Sequence, residues 1–177
     1  MNASDLKTSL QAAVSSYFAG ERYEGVLIIA GSVLAAALAA WLWTAARSSL
    51  AVSFGATVVL SSALLAATAG SLLVRDKPLA ANLLQGIAST QRTTVTAAEH
   101  ERVGVILSKY RYYRYGAVFL ATIGILGLLL SDRAWVHGIS AGLLLLVVAQ
   151  ILIDHYSERR ARIYHEHLSA SSVSPPI

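Results

Sequence analysis

The densest run of chemistry-bearing side chains is Tyr110-Arg111-Tyr112-Tyr113-Arg114-Tyr115. Phenol rings sit well at the headgroup depth of a bilayer, and arginine reaches lipid phosphates by snorkelling along its aliphatic stem. The run therefore reads as an interface anchor, or as a patch for an anionic lipid or a protein partner. Single-stranded nucleic acid would stack on the same residue types. Placed directly before an apolar block, however, the run faces a membrane, and no nucleic-acid partner is expected.

Histidine offers the next chemistry. His165 and His167 flank Glu166 like a metal pair, yet residues two apart on a helix point to nearly opposite faces. His155 and Glu158 are three apart, but a matching pair on a second helix, as di-metal carboxylate bundles require, is missing. His100, between Glu99 and Glu101, reads as part of a solvated, charge-compensated face. Cysteine is absent, which removes thiolate ligands, disulfides and cysteine nucleophiles together. Neither a Walker sequence nor a GxGxxG loop occurs. No metal and no cofactor are expected.

His137 is the titratable group nearest the interior of an apolar block. With Asp132 and Ser131 before it and Ser140 one turn on, it forms a candidate proton-responsive cluster. A serine–histidine catalyst would also need a nucleophile elbow and an oxyanion hole, and the sequence provides neither. The chain is not expected to be an enzyme. Gln150, polar and deep in the same block, is expected to hydrogen-bond to a neighbouring helix. Small residues recur at four-residue spacing in Gly31, Ala35 and Ala39, in Ser62, Ala66 and Gly70, and in Gly138 and Gly142. Such spacing lets helix backbones approach, within one chain or between copies.

The elements that carry these residues follow from composition. Charged residues make up 14% of the 177 residues, against roughly 25% in soluble domains, and the mean hydropathy is +0.57. The apolar residues come in four blocks, about Gly25–Ala46, Leu50–Val74, Tyr115–Ser131 and Ala134–Ile153, none containing Asp, Glu, Lys or Arg. A hydrocarbon core of about 30 Å needs blocks of about 20 residues. Uninterrupted runs exclude barrel strands, which alternate in and out. The opening MNASDLKTSLQ is too polar for a cleaved leader, so the first block is expected to remain as an anchor.

The predicted fold is therefore all-α: a polytopic membrane protein with four transmembrane helices as two helical hairpins, 25–74 and 115–153. Amphipathic cytoplasmic helices complete it. Residues 1–24 read as an interfacial helix and 75–114 as two amphipathic linker helices, the first starting at Pro78 as N1. Residues 154–168 read as a helical extension containing a Glu158–Arg162 pair, and 169–177 as a disordered tail. A faint repeat relates the hairpins, each preceded by an aromatic-basic segment and turning at one arginine near tryptophan.

Twelve of the fourteen basic residues fall in the tails and the central connection, leaving Arg47 and Arg133 for the opposite side. The positive-inside rule then places both termini in the cytoplasm and the chain in the cell's inner membrane. Tryptophans 41, 43 and 135 mark the outer ends, and all eight tyrosines lie in cytoplasmic or inner-interface segments. Charge-free spans disfavour a charged transport pathway. The expected function is non-catalytic protein–protein interaction in the membrane, as an assembly or regulatory subunit or as an immunity-type protein against a membrane-active toxin. An oligomeric channel or transporter for a small solute, ion or proton is the alternative. The expected partners are the lipid bilayer and another membrane protein, or a second copy of the chain.

Overall fold

The computed structural model describes residues 3–89 and 91–172. They form four helices: α1 (Ala3–Ala46), α2 (Ser49–Ala88), α3 (Arg92–Leu130) and α4 (Ala134–Ser172). Each is long and apolar enough to cross a membrane.

Local chemistry explains where the helices stop. Arg47 adopts a left-handed φ of 47°, and its N–H returns to the Trp43 carbonyl at 3.3 Å while its Nε donates to the Thr44 carbonyl at 3.3 Å. This is an αL cap on α1, made by an arginine where glycine is the usual choice. Ser48 then caps α2, its Oγ accepting from the Ala51 N–H at 3.2 Å. After α3, Ser131 Oγ accepts from the Arg133 N–H at 3.2 Å. The His137 ring closes the same turn by donating from Nε2 to the Ser131 carbonyl at 2.5 Å.

The chain divides into two compact units. The polar unit comprises Met1–Glu24, Leu72–Arg111 and His155–Ile177, and the apolar unit comprises Gly25–Ser71 and Tyr112–Asp154. The main buried cluster lies within the polar unit. Leu10, Val14, Tyr17 and Phe18 of α1 meet Leu83 and Ile87 of α2, Val103 of α3, and Ala161, Tyr164 and Leu168 of α4. Val14 and Val103 are 0% exposed, and burying side chains of this size stabilises by about 1.5–3 kcal/mol each.

In the apolar unit, close approach depends on missing side chains. A Cβ on Gly138 would collide with Ser53 Oγ and the Leu50 carbonyl, and one on Gly142 would meet Thr57 Cβ at 2.8 Å. Gly138 and Gly142 therefore seat α4 directly on α2. Leucines and valines elsewhere in this unit, including Val33 and Leu34 of α1, Leu60 of α2 and Leu129 of α3, are exposed. Their surroundings are unpartnered apolar surface, as helices surrounded by lipid require.

Three expectations change. Residues 3–24 are the first part of the continuous helix α1, and their apolar face is buried in the polar unit's core rather than laid along headgroups. Periodicity reports that a face is covered, not by what. Pro78 does not begin a helix, because α2 runs through it to Ala88. Proline in a helix interior leaves the carbonyl four residues earlier without its donor. That carbonyl belongs to Val74. The first linker helix is thus the continuation of α2, while the second runs on into the third span as the beginning of α3. Finally, α4 extends to Ser172 rather than ending near 168; residues 173–177 lie outside the described residues.

Candidate functional site

The polar unit buries charge as well as apolar surface. Glu99 on α3 is 4% exposed. It is held by Arg102 one turn on, with Nε to Oε2 and Nη2 to Oε1 both at 2.7 Å. Tyr164 on α4 donates its hydroxyl to Glu99 Oε1 at 3.1 Å. Tyr17 on α1 stacks on the Tyr164 ring, and Phe18 meets Tyr17 edge-on. Burial, and then the Glu99 charge, push the Tyr164 phenol far above its ordinary range. Burial, followed by Glu21, does the same to Tyr17. Burial works against the Arg102 charge, but its hydrogen bonds and charge attraction to Glu99 prevail and raise it.

A second ionic group ties α1 to α4. Arg160 donates from Nε to Glu21 Oε1 at 2.9 Å and from Nη2 to Glu24 Oε2. Ser157 Oγ donates to Glu24 Oε1 at 2.6 Å. Burial pushes the Glu21 carboxyl up, an effect that Arg160 opposes but does not cancel. Gly20 provides room for the arrangement, since a Cβ there would lie 2.6 Å from Arg160 Cδ.

A third group pairs His100 of α3 with His165 of α4, their rings stacked with centroids 4.0 Å apart. Ser169 Oγ lies 2.9 Å from both the His165 carbonyl and His100 Nε2, within hydrogen-bonding distance of each. Burial, and then the nearby His100, hold the His165 imidazole below its ordinary range. Stacked rings do not converge on an ion. Among the described residues no group of three or more metal-type side chains is suitably placed.

Beside the ionic group, an open groove of about 280 Å³ runs between α1 and α4. Ala13, Ser16 and Tyr17 form one wall; Tyr156, Arg159, Arg160, Ile163, Tyr164 and His167 form the other. Burial pushes the Tyr17 and Tyr164 phenols up, which makes them poor bases near neutrality, and Arg160 is occupied by Glu21 and Glu24.

The residues singled out from sequence are distributed differently. Tyr110 is buried, whereas Arg111, Tyr112, Tyr113, Arg114 and Tyr115 are exposed along consecutive positions of α3. His137 serves the α3–α4 turn, while Asp132 is exposed and is not hydrogen-bonded to it. Gln150 bonds along its own helix, to Asp154 Oδ1 at 2.8 Å, not to a neighbouring helix. An acceptor one turn away is always within reach, and Asp154 provides it. Ala39 is buried, Ala35 half-buried, and Gly31 exposed with no described atom within 4 Å of a Cβ placed there. Gly138 and Gly142 are both buried. The Glu158–Arg162 pair is present at 2.7 Å.

Glu99 and His100, read from sequence as a solvated face, are instead buried and half-buried respectively. The three-residue spacing of Glu99 and Arg102, and Tyr164 in register with Ala161 and Leu168, were the available signals of a polar core. The partners across helices carried no signal in a single chain.

Fold and site together define an all-helical protein with four helices apolar enough to cross a membrane, joined to a polar unit with a charged interior. Compared with protein-family models, curated proteins and solved structures, the chain shows no match.

Proposed function

We propose that the chain is a non-catalytic integral protein of the inner membrane that works by protein–protein interaction, as an assembly or regulatory subunit or an immunity-type protein. In this reading the spans form two helical hairpins, 25–74 and 115–153. The polar unit, with both termini, lies in the cytoplasm. The observation that carries the reading is the location of the main buried cluster in the polar unit. Loops that merely connect spans would need no core of their own. A ten-residue core with a satisfied Glu99–Arg102–Tyr164 network presents a rigid surface, which is what specific recognition requires. The charge-free spans supply anchorage rather than a pathway.

The test has two arms. Tagged full-length chain, purified from native membranes in mild detergent, is expected to bring a stoichiometric partner, and reconstituted liposomes are expected to pass neither protons nor small ions. A flux that His137→Ala abolishes, without any partner, overturns the reading in favour of conduction.

A further inference from the structure

The groove between α1 and α4 carries a charge pattern that names a partner chemistry. Three arginines crowd α4 at positions 159, 160 and 162. Arg160 is neutralised by Glu21 and Glu24, and Arg162 by Glu158. Arg159 has no carboxylate partner among the described residues, and it lines the groove. So does His167, two turns further along, likewise without a bonded partner among the described residues. Between them stands Ile163, 49% exposed, with Tyr156, 61% exposed, one turn before Arg159. At 1.5 Å per residue, Arg159 and His167 are roughly 12 Å apart along the helix.

Resting on the interaction reading above, we infer that this groove receives an acidic amphipathic helix of a partner membrane protein. One carboxylate pairs with Arg159 and a second with His167, while an aliphatic side chain packs on Ile163. Acidic residues about two turns apart on the incoming helix match the roughly 12 Å between Arg159 and His167 along α4. A shallow groove of about 280 Å³ suits the side chains of one helix face better than enclosure of a small ligand.

The probe is a fluorescent helical peptide with glutamates two turns apart flanking leucines, titrated against the full chain in phosphatidylcholine nanodiscs. Its counterpart carries lysines in place of the glutamates. The acidic peptide is expected to bind, and Arg159→Glu with His167→Glu to weaken it by roughly tenfold or more while improving binding of the lysine peptide. Absent binding, equal binding of the two peptides, or indifference to the double variant overturns the inference. Displacement of the peptide by phosphatidylglycerol in the discs, lost in the same variant, reassigns the groove to lipid and also overturns it. Photo-crosslinkers at Ile163 and Tyr112 in native membranes separate this inference from the reading beneath it. Capture of an acidic helix at Ile163, abolished by Arg159→Glu, supports the groove. A partner captured only from Tyr112, or a second copy of the chain captured at Ile163, removes the groove and leaves protein interaction standing.

Discussion

Tyr17 and Tyr164 lie face to face, their ring centroids 4.3 Å apart and their planes 13° from parallel. One ring comes from the start of α1 and the other from the end of α4, and the second also holds Glu99 through its hydroxyl. The stack thus joins the apolar core to the buried charge.

Ring and hydroxyl are separable by substitution. Tyr164→Phe keeps the stack and removes one donor, a loss of about 1 kcal/mol. Tyr164→Ala removes the ring from the core and is expected to cost about 3–5 kcal/mol. Denaturant unfolding in micelles, followed by the near-UV tyrosine signal, reads both. Equal losses would place the stabilisation in the hydroxyl rather than the ring.

Glu99→Gln keeps the shape of the side chain but leaves the partly buried Arg102 guanidinium facing a neutral partner. With Arg102 still 28% exposed, water takes up some of that cost, and about 2 kcal/mol is expected. Adding Arg102→Met should restore part of the loss. A double-mutant cycle showing no coupling would remove the pair from the stability of the polar unit.

Two groups give opposite pH slopes. The folded His165 imidazole is held below its unfolded value of 6.5, so between the two values the unfolded chain binds more protons. Its contribution is present above pH 6.5 and is lost as pH falls through the depressed folded value. The Glu21 carboxyl, raised above 4.5, behaves the other way: its contribution is full below pH 4.5 and lost as pH rises through the raised value. Stability measured across mildly acidic pH should climb through the histidine range, and His165→Asn should flatten that climb. A slope unchanged by His165→Asn would assign it to another group.

The apolar unit should distinguish its glycines sharply. Gly138→Leu and Gly142→Leu push α4 away from α2 and are expected to cost about 1–3 kcal/mol or more. Gly31→Leu, with open space around it, should fall within about 0.5 kcal/mol of the parent. Urea unfolding in mixed micelles provides the comparison. A large loss at Gly31 would mean that another molecule packs there.

The four apolar helices were readable because bilayer thickness sets block length, and block length is a property of one stretch of chain. Gly138 and Gly142 were readable as packing residues for a related reason: small side chains at one-turn spacing mark close approach whatever lies opposite. The groove was not readable. It depends on the rotation of α1 against α4, which brings Glu21 and Glu24 to Arg160 and leaves Arg159 open, and no local pattern encodes that pairing. The helix divides the Tyr110–Tyr115 run. It is conspicuous along the chain, yet consecutive residues of a helix spread around its circumference, and only Tyr110 turns into the core.

The buried cluster that includes both Leu10 and Leu168 has a consequence in time. At about 5–20 residues per second, ribosomal synthesis separates these two side chains by roughly ten to thirty seconds. Throughout that interval Leu10, Val14, Tyr17 and Phe18 have no α4 to cover them. The early face of α1 gains its α4 cover only once translation has delivered α4, so the polar unit is completed only after all four apolar stretches have been made.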